Sequence, residues 1–218
     1  MKGHIKFAVL STDIAVLTVD GENVRILLAK ATSKNFRGVP ALPGGLIEPG
    51  ELAEQAARRI LVKYLSVSNY YSEQLYTFDS LKRDPAGRVV SVAYFVLLPW
   101  NKAKLSIKNG AWWESIKNLP NLAYDHNEIV KTAVKRLRGK ITYTNVVFAL
   151  MPEEFTLPEL QKTYECILDK NLDKRNFRKK IFSLKILEKL AKQRRQGANR
   201  PARLYKFKSK RLDLIEIV

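Results

Sequence analysis

The sequence predicts an α/β domain followed by a smaller α+β domain, joined near residues 140–141. Two patterns carry this expectation. Up to residue 98, short β-branched runs surround a single amphipathic helix, the alternation that builds an α/β layer structure. From Thr156 onward, the chain reads as helix, short turn, basic helix and a basic extended segment, an α+β arrangement. The chain has 218 residues, enough for two small domains that each bury a core.

The runs Ile5–Leu10, Ile14–Val19 and Val24–Leu28 are expected as strands, with Asp20, Gly21 and Glu22 turning the second into the third. A loop from Thr32 to Pro43 leads to a glycine-rich turn. A helix is expected from Glu51 to Leu65, with Leu52, Ala56, Ile60 and the stem of Lys63 on its inward side. Strands follow at Leu75–Leu81 and Val89–Leu98, separated by the polar turn from Arg83 to Arg88, and a helix from Asn127 to Arg138 closes the first half. Gly139 and Lys140 look like a joint. Ile141–Leu150 is expected as a strand linking the halves, ended by Pro152.

The second half opens on a strong start signal. Thr156 and Glu159 form a capping box, with Pro158 in the first turn. Leu157, Leu160, Tyr164 and Ile167 then make one apolar stripe. Asn171 to Asp173 is the turn, and Asp173 caps a second helix expected to run to about Leu187. Phe177, Ile181 and Leu184 face inward there, whereas Lys174, Arg175, Arg178 and Lys179 lie outward. A short strand is expected within Arg200–Phe207.

Composition narrows the function. Hydrophobic residues at 46% and charged residues at 28% suit a globular protein. No apolar run reaches a membrane span, so no membrane partner is expected. Cys166 has no cysteine to pair with and sits among apolar helix positions, which points to an inert thiol in a reducing, cytoplasmic setting. The formal charge of +18 argues for a polyanionic partner. Between Lys170 and Arg211 stand 17 Lys and Arg residues against Asp173 and Glu188. Laid on the helix–turn–helix pattern, these charges point to double-stranded DNA. The second helix would enter the major groove, and Arg194, Arg195, Arg200 and Arg203 would form a wing reaching the flanking backbone or the minor groove.

The glycine-rich turn and its helix carry the other chemical signal. Gly45, Glu51, Arg59, Leu61 and Val67 fall on the pattern G-x5-E-x7-R-E-U-x-E-E-x-G-U, where U is a bulky aliphatic residue. This stretch resembles the Nudix box. The carboxylates expected after the arginine are Ile60, Lys63 and Tyr64 here, and the late glycine is Ser66. In the family those carboxylates share one helix face and hold the divalent metal that activates water against a diphosphate. With Lys63 in that place, and only Glu51 and Glu54 nearby, no catalytic residue, metal or cofactor is expected. Gly44 and Gly45 serve the tight turn whether or not anything binds, and Arg59 is expected as a strut back to Glu51 or the glycine-loop carbonyls.

Further stretches extend the resemblance over nearly the whole chain: Arg83–Tyr94, Ala123–Ile129, Leu172–Arg178 and Arg200–Tyr205. Together they resemble the Nudix-related transcriptional regulators, in which a degenerate Nudix-like α/β/α sandwich with a mixed sheet precedes a winged helix-turn-helix. The resemblance implies residues 1–140 as an effector-binding domain and 141–218 as a DNA-binding domain. It also implies a homodimeric repressor that senses ADP-ribose, a related nucleotide, or a sugar such as arabinose. Arg83 and Arg88 are the expected anion contacts, with Gly45 and Glu51 completing the effector site. His126 is expected to cap or pack, and Trp112 and Trp113 either frame a ligand ring or divide between core and surface. Two other functions fit the residues less well. One is a divergent hydrolase using Glu51 and Glu54; the other is a charge-driven nucleic-acid binder, of RNA for instance, with steep salt dependence.

Overall fold

The computed structural model describes residues 7–195 and 201–215. β1 (Val9–Val19) turns into β2 (Val24–Lys30) through Asp20, whose Oδ1 accepts from the Glu22 and Asn23 backbone amides at 2.9 and 2.7 Å. β3 (Pro40–Ala41) pairs with β2, and β4 (Gly44–Leu46) pairs with β1. α1 (Ala53–Tyr64) follows the glycine turn. β5 (Tyr71–Phe78) and β6 (Val89–Leu97) are antiparallel, and β6 runs parallel to β1 at the centre of the sheet. α2 (Trp100–Ala103), β7 (Trp112–Ser115, paired with β2) and α3 (His126–Tyr143) complete this half.

The mixed sheet is covered on both faces, and β1 shows why. Ile14 and Val16 point into one core with Leu61 and Tyr64 of α1, while Ala15, Leu17 and Val19 point into another with Ile129 and Leu137 of α3. A strand buried on both sides reads as a continuous apolar run instead of an alternating one. The α/β/α sandwich expected from the sequence is therefore present. The expected break in the first strand is not: β1 passes through residues 11–13 unbroken, and residues 1–6 lie outside the described set.

Three other expectations are corrected. Leu52 is 69% exposed at the N-cap of α1, and Lys63 is exposed; the inward face is Ala56, Ala57, Ile60, Leu61 and Tyr64. Gly139 and Lys140 are not a joint, because α3 continues through them to Tyr143. Gly139 sits on the exposed side, where it costs about 1 kcal/mol relative to alanine, and the buried Lys140 and Ile141 hold the last turn against the sheet. Residues 141–150 are thus the end of α3 and a short 3-10 turn, Val146–Ala149, in place of a linking strand.

In the second half, β8 (Phe155–Thr156) leads directly into α4 (Leu157–Leu168). The capping box is formed: the Glu159 amide donates to Thr156 Oγ1 at 3.3 Å, and Glu159 Oε2 accepts from the Thr156 amide at 2.7 Å. α5 (Lys174–Ser183) begins where Asp173 Oδ1 accepts from the Asn176 amide at 2.8 Å. It ends earlier than the sequence pattern predicts. Lys185 turns the chain with φ of 54°, and Leu187–Arg194 becomes β9, antiparallel to β10 (Ala202–Phe207). This is a winged helix, with β8, β10 and β9 as its sheet. No helix among the described residues is long and apolar enough to cross a membrane.

The two halves share one apolar core. Phe155, Leu160, Tyr164 and Ile167 of the winged half join the cluster that holds Ile129, Leu137 and Ile141 of α3. Arg138 Nε adds a 2.9 Å hydrogen bond to the Ile167 carbonyl on α4. All three tryptophans lie in the first half, so their fluorescence reports on that half alone. Phe155→Ala is expected to cost about 3–5 kcal/mol. If the core is shared, the tryptophan unfolding midpoint in urea shifts with it; an unmoved midpoint would mean the halves unfold independently.

Candidate functional site

The glycine turn is held by short-range packing. Gly44 and Gly45 of β4 pair with Asp13 and Thr12 of β1. A Cβ on Gly44 would lie 2.1 Å from Asp13 Oδ1, and one on Gly45 would lie 3.2 Å from Ile60 Cδ1. Arg59 is the strut expected from the sequence. Its Nε and Nη2 donate to the two Glu51 oxygens at 2.8 and 2.7 Å, and Nη2 also reaches the Leu46 carbonyl at 3.0 Å. Glu51 Oε2 further accepts from the Glu48 amide at 3.1 Å. Hydrogen bonds from Arg59, with that from the Glu48 amide, hold the Glu51 carboxyl down at about 2.

These contacts decide the fit of a divalent metal. Both Glu51 oxygens are committed to donors, Ile60 is packed beneath Gly45, and Lys63 presents an exposed ammonium. Tyr64 offers only a phenol, a poor ligand for magnesium. Among the described residues no three His, Cys, Asp or Glu side chains are grouped to hold an ion. The residues present do not fit the metal that the Nudix box implies.

Beside the box lies a cavity of about 340 Å³, walled by β4, by Lys30 at the end of β2 with the 31–33 segment after it, and by Tyr124. Its floor is a buried charge network whose partners are far apart in the sequence. Arg83 is only 5% exposed. Its Nη2 donates to Asp13 Oδ2 and Asp125 Oδ1, each at 2.9 Å, and Nη1 to Ser11 Oγ at 3.3 Å. Ser91 Oγ donates to Asp13 Oδ2 at 2.6 Å, and His126 Nε2 lies 3.3 Å from Asp13 Oδ1. His126 Nδ1 accepts from the Leu42 amide at 2.9 Å, which places the imidazole proton on Nε2. The packing role expected for His126 is what it performs.

The other expected site residues are dispersed. Arg83 lines the cavity, but its guanidinium is paired with protein carboxylates instead of standing free as an anion fork. The polar 83–88 turn folds its first side chain into the core, where the partners come from β1 and the start of α3. Arg88 is on the surface, bonded to the Asp79 carbonyl, and does not line the cavity. Gly45 lines it; Glu51 does not. Trp112 and Trp113 pack on opposite faces of the sheet, away from the cavity, with Trp113 Nε1 donating to the Ala103 carbonyl at 3.2 Å. Residues that the sequence did not single out take their place at the mouth. Lys30 is exposed there with no ion-pair partner among the described residues, and Tyr124 packs on Phe36 with ring centroids 4.4 Å apart, tilted by 52°, and donates to Ser33 Oγ at 2.7 Å. The αL backbone of Tyr124, φ 56°, is invisible to hydrophobic patterning.

The basic half sorts its arginines into free and committed. Lys174, Arg175, Arg178 and Lys179 are exposed on one arc of α5, without an ion pair among the described residues, while Phe177 and Ile181 anchor the opposite side. Arg178 lies 5.6 Å over the Phe182 ring. Arg195 is exposed. Arg194, expected on the wing surface, is instead a staple: it donates to Glu159 Oε1 and to the Glu154 carbonyl, both at 2.9 Å. Arg203 is half-buried, with a 3.5 Å contact to the Leu190 carbonyl, and Arg200 lies outside the described residues. Burial pushes the half-buried Cys166 thiol up, as suits an inert side chain.

Burial alone would raise the Asp13 carboxyl, but hydrogen bonds from His126 and Ser91 and the Arg83 charge hold it well below the usual carboxylate range. A carboxylate depressed in the folded state contributes stability that is complete above its unfolded value, about 3.9, and is lost as pH falls through the folded value. Asp13→Asn is therefore expected to destabilise the protein by about 3–5 kcal/mol at neutral pH by leaving Arg83 half-paired. The gap to the wild type should narrow below about pH 4. Denaturant titrations at pH 7 and pH 3 measure both; an equal gap at the two values would contradict the network.

A sequence model of the Nudix domain matches residues 10–133, and one of the NrtR DNA-binding winged helix domain matches residues 147–207. The ADPR responsive transcriptional repressor NtrR of Acinetobacter baylyi is 33% identical over 204 residues, covering 91% of this chain and 81% of that protein. The ADP-ribose pyrophosphatase of Methanocaldococcus jannaschii is 31% identical over 128 residues, covering 56% of this chain and 75% of that protein. The crystal structure of Shewanella oneidensis NrtR complexed with a 27mer DNA is similar with a TM-score of 0.83 and 31% identity, over 91% of this chain and 93% of that one. The Nudix domain of the same protein, complexed with ADP ribose, is similar with a TM-score of 0.54 and 27% identity, over 63% of this chain and 93% of that one. The chain belongs to the NrtR family of transcriptional regulators, in which a Nudix domain is joined to a DNA-binding winged helix.

Proposed function

We propose that this protein is a homodimeric repressor whose Nudix unit binds ADP-ribose without hydrolysing it. The winged-helix unit, beyond the end of α3 at Tyr143, releases its operator in response. The observation that carries this reading is the pairing of an open, ring-lined cavity with a box whose metal-binding carboxylates are gone. Tyr124, backed by Phe36, offers a face for the adenine base, and Lys30 a charge for the diphosphate. A nucleotide suits this cavity better than a neutral sugar, because the carboxylates of its floor are already occupied by Arg83. Hydrolysis would require the metal to make a nucleophile from water, and Glu51 is tied to Arg59. Lys174, Arg175, Arg178 and Lys179 are the proposed groove contacts of α5, with Arg195 and the 200–203 segment at the flanking backbone.

The test is binding of the purified protein to DNA from upstream of its own and adjacent genes, at near-physiological salt with excess non-specific competitor. ADP-ribose is expected to lower the affinity at least tenfold, and arabinose to leave it unchanged. Tyr124→Ala should weaken ADP-ribose binding about tenfold or more. With magnesium present, AMP should not accumulate; its release, abolished by Glu51→Gln, would show a hydrolase instead. An operator affinity indifferent to ADP-ribose would sink the proposed response. Arg175→Ala and Lys179→Ala are each expected to reduce the slope of log affinity against log salt by about 1. An unchanged slope would place the phosphate contacts elsewhere.

A further inference from the structure

A second cavity, of about 540 Å³, lies between the two halves and shares no lining residue with the one above Asp13. Tyr70, just before β5, and Lys102 of α2 wall it on the Nudix side; Phe207 and Lys208, at the end of β10, wall it on the other, with Glu153 and Glu188 also in the lining. Two further lysines here are engaged: Lys206 with Glu188 at 3.3 Å, and Lys210 with Glu153 at 3.6 Å. Lys102 and Lys208 have no ion-pair partner among the described residues, so two uncompensated ammonium groups from different domains border one cavity. Its size falls within the range of small-molecule sites, and the cations and rings are the groups that recognise phosphates and bases.

Its place in the fold separates it from the DNA face. Phe207 pairs with Leu187 at the base of the β9–β10 hairpin, whereas Ala202 pairs with Arg194 towards the tip. At about 3.3 Å per residue the base stands roughly 16 Å from Ala202. The cavity therefore lies at the Leu187–Phe207 end of the β9–β10 pair, away from its Arg194–Ala202 end.

We propose that this interdomain cleft is a second ligand site, specific for a small polyphosphate-bearing molecule gripped between Lys102 and Lys208. Because its walls come from both halves, an occupant bears directly on their relative placement. The inference does not depend on the identity of the effector in the first pocket.

Isothermal titration of the full-length protein with sodium tripolyphosphate and, separately, with metal-free ATP tests this, each with and without ADP-ribose. Both anions are expected to bind with one site per chain, and to do so whether or not ADP-ribose is present. Tighter binding of ATP would assign the site to a nucleotide held by Tyr70 and Phe207, and equal affinity to the polyphosphate alone. The double variant Lys102→Glu, Lys208→Glu should bind at least tenfold more weakly, with thermal unfolding confirming that it is folded. The double variant Arg175→Glu, Lys179→Glu on α5 should bind as the wild type does. No binding to the wild type, loss only in the α5 variant, or displacement by ADP-ribose would each overturn the proposal.

Discussion

A single guanidinium buried between two carboxylates organises the effector half. Arg83 meets Asp13 from the central strand and Asp125 from the N-cap of α3, and Asp13 in turn is held by Ser91 of β6 and by His126. Through His126 the network also fixes the Leu42 amide just before the glycine turn. Five segments, the Arg83 turn, β1, β6, the start of α3 and the Leu42 segment, are thereby tied at one point beneath the cavity. Such a cluster is costly to bury, and it is stable only because nearly every donor and acceptor is matched. The floor is thereby electrostatically closed, and Lys30, Tyr124 and the glycine loop are the lining groups left for the proposed ligand.

From that network the chain runs straight into the DNA-binding half. α3 begins at His126 and spans 18 residues, about 27 Å at 1.5 Å per residue. Its far end carries Arg138, bonded to α4, and Lys140, whose Nζ donates to the Tyr71 hydroxyl at 2.9 Å and pairs with Glu73. Arg136 braces the same glutamate at 2.9 Å. One helix thus has its first residue lining the candidate cavity and its far end in the core shared with α4. This is a physical connection of the kind through which a ligand's differential binding is felt at a second site. The interdomain cleft opens beside its far end, where Tyr71 contributes to both the brace and the cavity wall.

Much of this architecture was legible in local pattern. The capping box at Thr156, the Asp173 cap and the apolar spacing of Leu160, Tyr164 and Ile167 place α4 and α5 because caps and helical periodicity are short-range properties. The box glycines and Arg59 were legible for the same reason. β9 was not: Leu187–Arg194 is basic and half-exposed, and its strand state comes from pairing with β10 across the hairpin. Nor was the length of α3. Gly139 suggests a break, and only the burial of Lys140 and Ile141 against the sheet carries the helix past it.

The candidate sites divide along the same line. Sequence by itself determined which chemistry was available: a Nudix box without its metal carboxylates, and cations arrayed on a capped helix, both of which depend on residue identity at fixed spacing. Only the tertiary structure decided which charges are free to act. Arg83 and Arg194 look like ligand and DNA contacts in the sequence, yet each is neutralised by partners 35 or more positions away. Lys30 and Tyr124, unremarkable in the sequence, are left at the cavity mouth, and Lys102 and Lys208 line one cleft whose walls come from both halves. A charge is functional or structural according to its neighbours in space, and for long side chains those neighbours are chosen by the packing of the whole chain.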